Sequence, residues 1–347
     1  MSDIRLGLIG CGGMSGAHQR GFDDLASRMR VTATADIVVE RAEKAAHALG
    51  AETAVSDYRQ MLERVDAVLI VLPHDLHHEV GMECLQAGKH VLMEKPLAIS
   101  EGQCLDLIHT AARCRRVLMT AYCMRFHPLV TRMKELLDRQ AYGSVFQLSI
   151  WTEQHTQRPE GHWYNTAAGL GGGQLFSHGC HYIDLLLWLL GRPVRGSHLG
   201  TNYGTPWMEK EGTSNVAIEF AGGPLGYHFG TWGAKGTRLG YSFHAHCTEG
   251  MVEANIKAGK LFALTKAGEE LLLQAQPGKR TQNEMSHFLD CIETGAGPLT
   301  DGPGSLQGLR LIWRLYEAER RGIVADLRGL GLNEQWDLRG LDKLPVQ

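Results

Sequence analysis

The chain has 347 residues, more than one ordinary compact core holds, and suits two domains. Its 35 lysines and arginines against 38 acidic residues leave a formal charge of −3 without blocks of like charge, which excludes the usual signatures of nucleic-acid or anionic-lipid binding. The longest apolar stretch, Ile183 to Leu190, is interrupted by Asp184 and far shorter than the roughly 20 residues that span a bilayer.

From the start, Met1 to Gly13 runs straight into an apolar strand and a glycine turn, with no basic leader and no cleavage site, so no signal peptide is expected. Short apolar runs at Ile4–Ile9, Val31–Ala35, Ala67–Leu72, His90–Met93 and Val117–Cys123 read as strands. Between them, helical patterns at about 14–28, 40–49, 57–63, 76–87 and 101–114 are long enough for crossovers between parallel strands. This alternation predicts a doubly wound α/β domain over residues 1–122. A helix over 127–140, opened by Pro128, leads into a different texture. Long strand-like runs at 144–152, 196–203, 213–220, 224–233 and 240–248 predict a large, mostly antiparallel sheet. Helices at about 178–190, 281–294 and 304–321 are expected to cover one face of it, giving an α+β domain over 123–347. The eight cysteines form no CxxC pair and sit mostly in apolar company, which fits reduced thiols in a cytoplasmic protein.

Gly10-Cys11-Gly12-Gly13-Met14-Ser15 directly follows the first strand and opens a helix. Gly10 suits a tight turn, Gly12 permits close approach of a pyrophosphate, and Ser15, in place of a third glycine, is still small enough for helix-to-strand packing. Asp36 closes the second strand, where a carboxylate accepts hydrogen bonds from ribose hydroxyls. With no Lys or Arg at 37–40 to pair a 2′-phosphate, NAD is expected over NADP. Further on, Glu94-Lys95-Pro96 puts a lysine at the carboxyl end of a parallel strand, where open α/β sheets bind their ligands, and Lys95 becomes the first catalytic candidate.

These motifs carry a resemblance over nearly the whole length. With Val71 to His77 (including Pro73, His74 and His77), Tyr122 to Pro128, and Gly171 to Asp184, the chain resembles the glucose–fructose oxidoreductase and inositol dehydrogenase family, Gfo/Idh/MocA. The resemblance implies a Rossmann domain joined to an α+β catalytic domain, with NAD as cofactor at Gly10, Gly12, Gly13, Met14, Asp36, Pro73, His74, His77, Glu94 and Lys95. It implies that Lys95 orients a substrate hydroxyl and that His181 takes its proton as hydride leaves. Imidazole suits that task, since its ordinary pKa lies near neutrality. One departure stands out: Ser177 occupies the position, four before His181, where many relatives carry an aspartate. A serine cannot stabilise an imidazolium as a carboxylate does, so His178, His162 or Tyr164 is expected to assist, while Asp184, three residues after His181, is expected either to orient the ring or to serve as a structural hydrogen-bonding group.

Trp151 to Asn165 reads as a polar and aromatic loop suited to sugars, with Trp163 and Tyr164 covering CH faces and Arg125 or Arg158 free to meet a carboxylate or sulfonate. Together with Tyr122, these residues form the expected substrate site. The pairs His178/His181 and His244/His246 lack a third ligand, so no metal is expected. The favoured reading is an NAD-dependent dehydrogenase or reductase of a sugar, polyol or glycoside. Its rivals are an enzyme that cleaves glycosides by oxidation, elimination and re-reduction, and a nucleotide-sensing regulator without catalysis. An apolar sheet face further suggests a homodimer or homotetramer.

Overall fold

The computed structural model describes residues 3–279 and 281–332. Six parallel strands, β1 (Ile4–Ile9), β2 (Met29–Ala35), β3 (Thr53–Val55), β4 (Ala67–Ile70), β5 (His90–Met93) and β6 (Leu118–Thr120), form a sheet in the order β3-β2-β1-β4-β5-β6. The order reverses direction between β1 and β4, and the crevice outside the strands' carboxyl ends at that switch point is where such sheets bind ligands. The expected first helix is reduced to α1 (Ser15–Gln19) and a turn of 3₁₀-helix at Asp23–Leu25, whereas α2 (Val39–Leu49), α3 (His77–Gln86) and α4 (Glu101–Cys114) match their patterns. Strand β3 was not legible beforehand, because three half-buried residues carry no periodic signal.

The second sheet has nine strands: β7 (Val145–Glu153), β8 (Pro193–Thr201), β9 (Thr213–Phe220), β10 (Leu225–Thr231), β11 (Ser242–Cys247), β12 (Gly250–Asn255), β13 (Lys260–Thr265), β14 (Gly268–Gln274) and β15 (Ala325–Asp326). Their order is β14-β13-β12-β11-β7-β10-β9-β8-β15, antiparallel throughout except for the β7–β10 pair. Alternation along β7 and β9 turns Leu148, Ile150, Val216 and Ile218 inward against α5 (Pro128–Asp138), α7 (Cys180–Leu190) and α9 (Gly302–Arg320). A one-turn helix, α6 (Ala167–Leu170), precedes α7 in the chain. The other sheet face carries half-buried Trp151, Tyr227 and Phe229, with Leu199 and Leu225 exposed.

Helix α8 (Gln282–Thr294) corrects the expected arrangement. Rather than covering the second sheet, its apolar stripe of Met285, Phe288 and Leu289 packs on Leu6, Leu8, Leu92 and Met119 of the first. Arg28 ties it down through Asp290 at 2.7 Å and Glu293 at 2.8 Å. The chain therefore returns to the first domain after the second sheet, and the segment entering α8 has to cross the crevice between them.

Candidate active site

Gly10, immediately after β1, has φ +90°, and a Cβ there would sit 2.1 Å from the Val71 carbonyl oxygen, so only glycine fits this turn. Gly12 and Gly13 face open space instead, leaving their backbone free for a close ligand. The turn is closed from within: buried Ser15 donates from Oγ to Gly12 O at 2.6 Å. Asp36 reaches back across it, with Oδ2 accepting from Cys11 N and Oδ1 from Val38 N, each at 2.9 Å. Exposed Met14, Ile37, Val38 and Leu76 line the same edge and offer apolar surface to flat rings. A bare glycine cradle beside a fixed carboxylate and apolar rim suits a dinucleotide.

His74 and His77 do not face this crevice as expected. Both are buried: His74 donates from Nδ1 to Leu170 O at 3.0 Å, and His77 sets Nδ1 2.8 Å from Pro96 O and Nε2 3.1 Å from Leu72 O, the neutral ring donating to one of the two. Their nitrogens satisfy loop carbonyls that would otherwise be orphaned, so they hold the loop after Pro73 against Glu94-Lys95-Pro96. Glu94 is buried too, with Oε1 2.8 Å from His18 Nε2 and Oε2 accepting from Lys95 N at 3.1 Å. Burial opposes its ionisation, but His18, Lys95 and Lys279 outweigh burial and hold the carboxyl down at about 2.

From the second domain, the chain enters α7 through a widened π-turn at Leu175–Gly179. Such turns redirect side chains and backbone at functional sites. Here the Ser177 carbonyl accepts from Lys95 Nζ at 2.9 Å, joining the two domains at the candidate catalytic lysine. His181, one turn on, is buried with Nδ1 unpartnered, its ring edge-on to Tyr122 at 5.6 Å. Burial, then the charges of Lys279 and Lys95, push its pKa well below the ordinary imidazole value, so the ring is neutral and able to accept a proton. His178 takes a different part. Gln174 Nε2 donates to its Nδ1 at 3.4 Å, which leaves its Nε2–H to face the Tyr241 oxygen at 3.2 Å, while Tyr241 donates to Gln154 Oε1 at 2.6 Å. Tyr241 has φ +59°, a left-handed conformation rare for a bulky residue.

Three expected substrate contacts are corrected by the packing. Arg125 and Asp184 form a buried double hydrogen-bonded pair at 2.7 and 2.6 Å, with Arg125 Nη1 also donating to Leu299 O at 3.0 Å. Neither is free for a substrate, and Asp184 does not orient the imidazole. Tyr122 is likewise buried, its hydroxyl accepting from Ser305 Oγ at 3.2 Å. By contrast, Tyr164 sits near Lys95 and Ser177, its ring 4.8 Å from that of Trp232, with exposed Arg158 over its face at 5.7 Å. Trp163 packs edge-on to His74 at 5.2 Å, and His162 accepts from Tyr164 N at 3.1 Å, capping the turn that presents both aromatics.

Several site residues escaped the sequence reading: His18, Tyr241, Lys279 and Glu284. Glu284, near the start of α8, is fully buried with both oxygens unpartnered, and burial with Glu94 nearby raises its pKa well above the carboxylate range. The return of α8 to the first domain is what brings Glu284 here, and no local motif announces it. Among the described residues, no group of three or more His, Cys, Asp or Glu is poised for a metal ion, and no helix is long and apolar enough to cross a membrane. All eight cysteines are unpaired.

Residues 4–122 match the model of an oxidoreductase family with an NAD-binding Rossmann fold, GFO_IDH_MocA, and residues 130–253 match the GFO/IDH/MocA C-terminal domain. The chain is 27% identical over 311 residues to D-xylose 1-dehydrogenase (NADP(+)) 2 of Haloferax volcanii, covering 87% of this chain and 93% of that one. It is 31% identical over 194 residues to inositol 2-dehydrogenase 2 of Saccharopolyspora erythraea, covering 55% of each. Among solved structures, a levoglucosan dehydrogenase in complex with NADH superposes with a TM-score of 0.86 at 21% identity, covering 94% of this chain and 99% of the other. The first domain is thus an NAD-binding Rossmann fold.

Proposed function

Since the chain belongs to the Gfo/Idh/MocA oxidoreductase family, we propose that it is an NAD-dependent dehydrogenase acting on a secondary hydroxyl of a sugar or polyol, with Lys95 and His181 as its catalytic residues. The observation that carries this reading is the meeting of Lys95, held at Ser177 O, with a buried, neutral His181 whose Nδ1 has no partner. NAD, when bound, would supply the hydride acceptor for the carbinol carbon. Gly10, Gly12, Gly13 and Met14 would hold its pyrophosphate side and Asp36 its adenosine ribose, where the carboxylate would repel a 2′-phosphate. Lys95 donates to the substrate oxygen and stabilises its developing negative charge, and His181 takes the hydroxyl proton. Tyr164, Trp163 and Arg158 form the outer wall for the sugar, while Ser177 and His178 border its inner side. Named relatives acting on xylose and inositol support this substrate class. The half-exposed outer sheet face, with Leu199 and Leu225, supports assembly into a homodimer or homotetramer.

The test is NADH formation by purified protein across inositols, aldoses, sugar acids and glycosides. Net NADH is expected with at least one of them, more efficiently with NAD than NADP, and Lys95→Met should lower turnover at least about a hundredfold, in line with loss of a transition-state charge contact. Glycoside cleavage without net NADH would transfer the same residues to an oxidation, elimination and re-reduction cycle. Lys95→Met with unaltered turnover would remove the lysine from the chemistry.

A further inference from the structure

Four successive residues, Gly173, Gln174, Leu175 and Phe176, open the turn that leads into α7, and all four are buried. A helix cannot satisfy its first four N–H groups from within, and the earliest regular bond here runs from Ser177 N to Gly173 O at 2.9 Å. Gln174, where the helix begins, offers no capping side chain. The four N–H groups are met instead by two residues remote in sequence, Glu211 on the connection between β8 and β9 and Tyr316 on α9. The Tyr316 oxygen accepts from Gly173 N at 3.4 Å and from Phe176 N at 3.2 Å, and its hydroxyl donates to Glu211 Oε1. Glu211 accepts from Gln174 N through its backbone carbonyl at 2.7 Å and from Leu175 N through Oε1 at 3.3 Å.

This clamp uses the one donor and both lone pairs of the phenol. A Cβ at position 173 would lie 2.1 Å from Glu211 Oε2, so glycine is what admits the carboxylate. Negative charge at a helix N-terminus is further favoured by the helix dipole. The functional end of the turn follows at once: the Ser177 carbonyl receives Lys95 Nζ at 2.9 Å, and His181 lies one turn on. Among the described residues, neither clamp side chain hydrogen-bonds Lys95 or His181, so any influence on them passes through the backbone of the turn.

Resting on the dehydrogenase reading, we propose that Glu211 and Tyr316 are positioning residues: by fixing the amides of residues 173–176 they set the Ser177 carbonyl, and through it the Lys95 ammonium, against His181. Loosening the turn displaces Lys95 and His181 from each other while leaving the Gly10–Ser15 cradle and Asp36 in place. Turnover therefore suffers, and cofactor affinity does not.

The experiment uses the full-length protein, NAD and the best substrate of the sugar screen. Tyr316→Phe and Glu211→Ala should each lower kcat at least about tenfold, as displacement of a catalytic group does, with KM for NAD changed less than about twofold. Glu211→Gln keeps an acceptor for Leu175 N and Tyr316 and should stay within about threefold of the unmodified protein. The double variant Glu211→Ala with Tyr316→Phe should be little worse than either alone, because each breaks the same clamp. An unchanged kcat in both single variants overturns the proposal, as does a loss that Glu211→Gln shares in full. If the unmodified protein forms NADH with no sugar, the dehydrogenase reading fails, and labelling of Lys95 by acetic anhydride, read by mass spectrometry, decides the positioning separately. Lys95 released from Ser177 O should be labelled at least about threefold faster in Tyr316→Phe and Glu211→Ala, but not in Glu211→Gln. Equal labelling in all four proteins overturns it.

Discussion

In the proposed reaction His181 is the proton acceptor, and its surroundings would set the pH at which that ring works. Burial and the neighbouring Lys279 and Lys95 all disfavour the imidazolium, so its pKa lies well below 6.5. A neutral ring persists wherever the pH exceeds that lowered value, and oxidation should therefore continue below pH 6.5 before falling as the ring protonates. His181→Asn should abolish this limb, whereas Ser177→Asp should move it upward by placing a carboxylate near the imidazolium. Profiles of kcat/KM from pH 4.5 to 8 provide the measurement. An acid limb unchanged in His181→Asn would assign the proton transfer to another group, with His178 the next candidate through its contact with Tyr241.

At the level of the element, α7 is held by the Arg125–Asp184 pair as much as by its leucines. Both partners are buried, and Arg125 also ties the helix to the loop at Leu299. Removing one partner strands the other charge, which costs about 3–5 kcal/mol, whereas replacing both with apolar residues is far milder. Arg125→Met should accordingly lower unfolding free energy in urea by that amount, and Arg125→Met with Asp184→Leu should recover most of it. A variant of normal stability with a raised substrate KM would return Arg125 to the substrate-contact role expected from sequence. The π-turn leading into the same helix works in the opposite sense, trading regular hydrogen bonding for a carbonyl that reaches Lys95.

Across the whole molecule, buried histidines govern acid stability. Burial lowers the pKa values of His74, His77, His178, His181, His198 and His228, the last to about 3. In the unfolded chain each titrates near 6.5, so below that pH the unfolded state binds more protons and stability falls. Glu284, Glu211, Asp184 and Asp301, whose pKa values are raised, act in the other direction in the window from pH 6.5 to 5, but they are four groups against ten histidines once the likewise lowered His90, His162, His244 and His287 are included. The midpoint of thermal unfolding should therefore drop steadily over that interval, and His228→Gln should flatten the slope. A midpoint independent of pH across this range would mean that these rings are not held neutral by the fold.

Where chemistry depends on contiguous residues, the sequence alone was enough. Strand–turn–helix spacing around Gly10, an acidic end to β2 and a lysine at the end of β5 determined a Rossmann domain and its cofactor class, because backbone geometry and strand polarity are local consequences of residue type. The antiparallel texture after residue 144 was equally legible, though β12, β13 and β14 were not read as strands. Pairing across distance was not legible. That Asp184 would choose Arg125 over His181, that His74 and His77 would turn inward to loop carbonyls, and that α8 would return to the first sheet were settled by packing. Each outcome minimises buried polar groups left without partners, a condition defined only once the chain is folded. For the same reason Lys279 and Glu284 entered the site unannounced: the segment that carries them is placed by anchors at Ile256 and Ala17, more than 20 and 260 residues away.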